Sequence, residues 1–118
     1  MSDPKSSPDI ETTAAALDRL AASIAARKGG DPAQSYTAKL LDKGIEKCAQ
    51  KLGEEAVETA IAAAANKRDE VVSESADVLY HLLVLWAAMD IEPAEVYAEL
   101  ARREGISGIA EKASRPKS

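Results

Sequence analysis

Two long stretches of this chain, Tyr36 to about Ala65 and about Glu70 to Met89, repeat their apolar residues at helical spacing. Only the polar run Asn66-Lys67-Arg68-Asp69 separates them. A connector that short makes two helices return side by side. The first stretch turns Leu40 and Leu41, then Leu52, Val57, Ala60, Ile61 and Ala64, to one side; the second uses Val71, Val78, Leu82 and Leu85. Gly44 interrupts the first, and glycine costs about 1 kcal/mol against alanine inside a helix, so a break or bend belongs there. Ser35 suits the N-cap position just before Tyr36. Upstream, Leu17, Leu20 and Ile24 at i, i+3 and i+7 predict a helix over roughly residues 9–27, ended by Lys28-Gly29-Gly30. Downstream, Ile91-Glu92-Pro93 opens a last helix that carries Val96 and Leu100 and stops near Gly105. No segment alternates with a period of two, and no internal repeat is evident. The expected fold is all-α, a helical bundle. Residues 1–8, polar with two prolines, read as a disordered tail; 9–105 form the helical domain; 106–118 read as a basic C-terminal tail.

The core of such a bundle is thin. Trp86 and three tyrosines are the aromatics, there is no phenylalanine, and alanine and leucine supply most of the apolar side chains. Chains of this size with little core often complete it by oligomerising, which predicts a homodimer. The formal net charge of −5 argues against a general nucleic-acid partner, which needs a basic footprint. Cys48 is the single cysteine, so neither an intramolecular disulfide nor a thiolate metal cluster is available, as suits a reducing cytoplasm. It reads as a small buried hydrophobe. The most apolar stretch, Val78–Met89, contains His81 and is too short to span a bilayer; no secretory leader is expected either.

The acids are placed for chemistry. Glu54-Glu55-x-x-Glu58 sets three carboxylates at i, i+1 and i+4, and Glu74-x-x-Asp77 sets two more at i, i+3 on the returning helix. Glu58 and Glu74 lie similar distances either side of the connector, so they fall at the same level of the hairpin. Like charges gathered there repel unless a cation neutralises them, and oxygen-only ligation selects Mg²⁺, with Mn²⁺ as an alternative. A di-iron bundle would call for Glu-x-x-His motifs, and Asp77 stands where the histidine would be. Taken by spacing alone, an ordinary solvated acidic face accounts for the pattern equally well.

The flanking residues carry a resemblance. Ser35-Tyr36-Thr37-Ala38-Lys39-Leu40-Leu41, Lys43-Gly44-x-Glu46-Lys47 and Lys51-Leu52-Gly53-Glu54-Glu55-Ala56-x-Glu58 resemble the phosphoribosyl-ATP pyrophosphatase family. So do Glu74-x-Ala76-Asp77-x-Leu79-Tyr80-His81-Leu82-Leu83-Val84-Leu85 and the closing Ser107-Gly108-x-x-Glu111-Lys112-x-Ser114-Arg115. The acidic pattern by itself marks only the wider MazG-like superfamily of all-α nucleotide pyrophosphohydrolases; the other segments narrow it. The resemblance implies a MazG-like bundle completed by dimerisation. It implies Mg²⁺-dependent hydrolysis of phosphoribosyl-ATP to phosphoribosyl-AMP and pyrophosphate, the second step of histidine biosynthesis. Some members are fused to the next enzyme, a cyclohydrolase with cysteine-based zinc ligation, which a chain with Cys48 alone does not supply.

The roles that follow put Glu54, Glu55, Glu58, Glu74 and Asp77 on the metal. Water activated there attacks in line, and Glu55 is the candidate to take its proton. A polyanionic nucleotide also needs cations. Lys39, Lys43, Lys47 and Lys51 recur every four residues, and the first three, with Lys112 and Arg115 of the C-terminal segment, are the candidate phosphate contacts. His81, four residues after Asp77, is placed to hydrogen-bond that carboxylate without ligating the metal itself. Two other readings stay open: a MazG-like enzyme acting on a dUTP-type or damaged nucleotide, and a non-catalytic acidic dimer that binds a protein.

Overall fold

A computed structural model describes residues 11–116. Among them are helices α1 (Ala15–Arg27), α2 (Tyr36–Lys43), α3 (Ile45–Ala64), α4 (Arg68–Ala88), α5 (Pro93–Arg103) and α6 (Gly108–Ser114), and no strand. The fold is all-α, as the periodicity predicts. The expected disordered tail 1–8, and the first two residues expected in the first helix, lie outside the described residues.

The hairpin of α3 and α4 is the frame of the molecule; α1 packs on α4, and α2 touches α1, α3 and α4. Its sharp reversal has a local cause. Asn66 takes a left-handed conformation, φ 58°. Its N–H donates to the Ala63 carbonyl at 3.0 Å, and the Lys67 N–H donates to Ala62 at 3.0 Å. That is a Schellman closure with asparagine in the position glycine usually takes. Asp90, φ 57°, ends α4 in the same way, with Ile91 donating to Trp86 at 2.9 Å. Asp69 falls inside the first turn of α4 and does not cap it; the N-cap is Lys67, without a side-chain bond.

At the other end, Ser35 caps α2, its Oγ accepting from the Ala38 N–H at 3.2 Å. Gly44 separates α2 from α3 with φ 96° and ψ 177°. Nothing lies within 4 Å of where its Cβ would be, so the backbone angle and not space selects glycine here. Lys28 ties the end of α1 to the end of α4, donating to the Ala87 carbonyl at 2.8 Å and pairing with Asp90.

The core is as thin as the composition suggests. Ile24, Leu40, Cys48, Leu83 and Val84 are buried together, with Leu17, Leu20, Leu41, Tyr80 and Trp86 packed around them. The Cys48 thiol donates to the Leu40 carbonyl at 3.4 Å, and burial pushes its pKa up, as expected of an inert thiol.

Three expectations need correction. The α3 stripe Val57, Ala60, Ile61 and Ala64 is exposed in the single chain, Val57 at 58% and Ile61 at 63%. Periodicity identifies an apolar face; it does not say that the same chain covers it. Residues 106–118, expected as a tail, contain α6, capped by Ser107, whose Oγ accepts from Ala110 at 3.1 Å. Lastly, α4 is longer than the apolar stretch within it. Its 21 residues, with an 18-residue window of mean hydropathy 1.3, suffice by length and composition to cross a membrane. Helices α1, α2 and α3 pack against part of that apolar surface, while Val72 and Leu79 on it stay exposed.

Leu83, 4% exposed, tests the core. Leu83→Ala is expected to lower the unfolding free energy by about 2–5 kcal/mol. Urea denaturation should show a lower midpoint at an unchanged slope.

Candidate active site

Successive turns of α3 and the facing turn of α4 bring three carboxylates together. One oxygen from each of Glu55, Glu58 and Glu74 lies within 4.8 Å of the others. Glu55 and Glu74 are half-buried and Glu58 is exposed, so the cluster opens to solvent on the Glu58 side. Glu74 Oε2 is shut off from solvent with no hydrogen-bond partner. A buried, unpaired carboxylate oxygen is costly, and such atoms concentrate where a ligand completes the site. The crowding also shows in proton affinity. Glu74 is pushed up to about 7, first by the adjacent Glu55 carboxylate, then by burial and by Glu58.

These residues fit a hard divalent cation. With metal–oxygen distances of about 2.1 Å, two ligands of one Mg²⁺ sit at most about 4.2 Å apart. Small side-chain adjustments close the cluster to that span. Carboxylate oxygens alone, without histidine or thiolate, make Mg²⁺ or Mn²⁺ the chemical match.

The other two acids stand apart from the cluster. Glu54 accepts from Gln50 Nε2 at 2.7 Å and pairs with Lys51 at 3.3 Å. These contacts, Gln50 first, hold its pKa below the usual carboxylate range. Asp77 is exposed on the next turn of α4 after Glu74. The sequence spacing puts all five acids on neighbouring faces; side-chain direction gathers three of them.

His81 is buried, and its nearest acid is Glu55, with Nε2 4.0 Å from Oε1. That exceeds hydrogen-bond reach, and the expected bond to Asp77 is replaced by this looser approach to Glu55. Burial pushes the His81 pKa down, the Glu55 charge opposing it. Nδ1 is buried without a partner. The ring sits edge-on to Tyr80, centroids 5.0 Å apart, and Tyr80 stacks with Tyr36 at 6.4 Å. The Tyr80 hydroxyl bonds to Thr37, fixing α2 beside the acidic face of the hairpin.

The lysine stripe is divided by the break at Gly44. Lys39 and Lys43 are exposed on α2; Lys47 and Lys51 are half-buried on α3. Both α3 lysines act on Glu54. Lys51 is the contact missing from the candidate set, and its spacing of i, i+3 from Glu54 was the available signal. Lys112 is exposed on α6. Arg115 is bound to Glu111, Nε to Oε1 at 3.3 Å.

The family model described as phosphoribosyl-ATP pyrophosphohydrolase matches residues 17–104, which spans every carboxylate of the cluster. A phosphoribosyl-ATP pyrophosphatase of Parvibaculum lavamentivorans is 67% identical over 102 residues, covering 86% of this chain and 94% of that protein. The protein of the same name from Dinoroseobacter shibae is 68% identical over 99 residues, covering 84% and 97%. That from Azospirillum brasilense is 60% identical over 103 residues, covering 87% and 93%. A match of that extent, laid over a hairpin that gathers Glu55, Glu58 and Glu74, makes this chain a member of the phosphoribosyl-ATP pyrophosphohydrolase family.

Proposed function

We propose that this protein hydrolyses phosphoribosyl-ATP to phosphoribosyl-AMP and pyrophosphate, the second step of histidine biosynthesis, with Mg²⁺ held between α3 and α4. The observation that carries the reading is the convergence of Glu55, Glu58 and Glu74 around a buried, unpaired Glu74 oxygen. The names of the relatives supply the substrate. Glu55, Glu58 and Glu74 would hold the cation, with Glu54 and Asp77 close enough in sequence to join by side-chain rotation. A bound Mg²⁺, or Mn²⁺ in its place, supplies the positive charge that lets a triphosphate approach this acidic face and polarises the anhydride between the α and β phosphates.

The protein's own residues do the rest. Glu55 is the proton acceptor for the attacking water: its half-buried carboxylate stands 4.0 Å from the buried His81 ring, on the side of the cluster away from solvent. His81 limits how far the Glu55 side chain can move inward. Lys39, Lys43 and Lys47, together with Lys112 and Arg115, bind phosphate oxygens and keep the chain of phosphates extended for in-line attack.

The exposed stripe of Val57 and Ile61 on α3, with Val72 and Leu79 on α4, is the surface a second copy would cover. A homodimer built on it would bury the outer face of the hairpin that carries the acids. We place the reaction in the cytoplasm, in keeping with a single, buried, unpaired cysteine.

Three outcomes are expected. Pyrophosphate release from phosphoribosyl-ATP requires Mg²⁺ and stops with EDTA, dUTP is a poor substrate, and Glu58→Gln lowers kcat/KM by more than about 100-fold. That is the upper range for losing a group that merely supports a metal ligand. A Glu58→Gln enzyme with full activity would remove this site from the mechanism.

A pH dependence is expected as well. The folded, metal-free protein holds the Glu74 proton up to about pH 7, while an unfolded chain releases it near 4.5. The proton therefore favours the folded state at low pH, and that contribution is lost as pH rises through 7. Mg²⁺ needs the deprotonated carboxyl, so the thermal shift it produces should grow between pH 6 and pH 8. Glu74→Gln should flatten both trends.

For the dimer, sedimentation should show association in the wild type and monomers for Ile61→Asp. A monomeric wild-type protein at micromolar concentration would refute it.

A further inference from the structure

The most enclosed charged group outside the acidic cluster is Glu111, on α6, 4% exposed. Three guanidinium groups surround it. Arg102 Nη2 donates to Oε2 at 2.7 Å, Arg103 Nε stands 3.4 Å from Oε1, and Arg115 Nε stands 3.3 Å from Oε1. Arg102 and Arg103 belong to α5, and Arg115 caps the end of α6. Arg102 is itself braced by Glu99 one turn earlier. The Glu111 pKa is held below the usual carboxylate range, Arg102 contributing most.

Helix α6 has little else to hold it. It is seven residues long, and its one large apolar side chain, Ile109, is 87% exposed. A helix of that length does not persist in water without tertiary support. Burial of a carboxylate is strongly unfavourable unless it is paired and hydrogen-bonded, and here it is paired three times. Remove the charge and Glu99 alone is left to balance Arg102 and Arg103, with no acid of α6 between them and Arg115.

We infer that Glu111 is a positioning residue: its carboxylate latches α6 onto the basic end of α5 and thereby presents Lys112 and Arg115 to the phosphates of the substrate. The inference rests on the reading above of Lys112 and Arg115 as phosphate contacts. It adds that their placement depends on one buried acid and on Arg102 and Arg103. Arg115 bonds Glu111 through Nε, which leaves the outer nitrogens of the same guanidinium to face an anion.

The test compares wild type with Glu111→Gln and Glu111→Asp in two measurements. Amide hydrogen exchange of residues 108–114 in the free enzyme reads the latch. Steady-state kinetics with phosphoribosyl-ATP at saturating Mg²⁺ reads its consequence. Glu111→Gln should speed exchange in α6 by at least about tenfold and leave α3 and α4 protected, since a hydrogen bond to a charged group is lost. KM should rise about tenfold with kcat held within about twofold, the signature of lost binding common to ground and transition states. Glu111→Asp should fall between. Unchanged exchange in α6 would overturn the latch. Faster exchange at unchanged KM would overturn its role in presenting the basic residues. The doubly substituted Lys112→Ala, Arg115→Ala protein separates the two readings. If it keeps the wild-type KM, the segment does not bind phosphate and the inference falls with that reading, whatever the exchange shows.

Discussion

Repulsion between Glu55, Glu58 and Glu74 is the constraint around which the rest of the molecule is arranged. Three carboxylate oxygens within 4.8 Å work against the packing of α3 on α4, yet that packing is the frame of the fold. The opposition is met locally. The connector closes with Asn66 in a left-handed conformation, which fixes the hairpin before any side chain is considered. Glu74 keeps its proton to about pH 7, which removes one charge from the cluster in the absence of a cation. Glu54 is drawn away by Gln50 and Lys51, which keeps a fourth charge out. In the proposed metal site, a proton on Glu74 would exchange for the cation on binding.

The same helices that carry the acids also carry an unpaired apolar face. Among the described residues, Ile24, Val84 and Cys48 are the largest side chains fully buried, while Val57, Ile61, Val72 and Leu79 remain exposed. Acidic and apolar stripes alternate around α3, so one helix must satisfy two opposed demands: water and cation on one side, dry contact on the other. In the proposed dimer the partner meets the second demand and holds α3 rigid for the first. Stability and catalysis would then be coupled through a single helix.

How much of this was legible in the sequence differs by kind of interaction. Local rules worked where local forces decide. Ser35 caps α2, Gly44 breaks the helix, and the connector gives a hairpin. Faces were legible too, since i, i+3 and i+4 are fixed by helix geometry. What covers a face is not written in its period, so Val57 and Ile61 were expected inward and lie outside. Side-chain direction is likewise decided by neighbours. Glu54 has the same spacing credentials as Glu55 but turns to Gln50 and Lys51, and His81 approaches Glu55 instead of Asp77. Residues 106–118 read as a tail because they lack an apolar stripe; α6 forms within them because charges hold it.

That last difference bears on how the two halves of the site are built. The acidic half sits on the hairpin, where backbone closure and packing fix it in advance. The proposed basic half is spread over α2, α3 and α6, joined by a glycine break, a tyrosine–threonine contact and an ion cluster. Carboxylates that share a cation need fixed separations, because coordination distances tolerate only small errors. Phosphate contacts made by lysine tolerate more, since a long side chain carries a point charge across several ångströms. On the proposed reading, the division of the fold follows that difference in tolerance, with the rigid element under the cation and the adjustable ones around the substrate. Arg115 is the exception that fits the rule. Guanidinium contacts are directional, and its Nε is tied to the most enclosed carboxylate of the C-terminal segment.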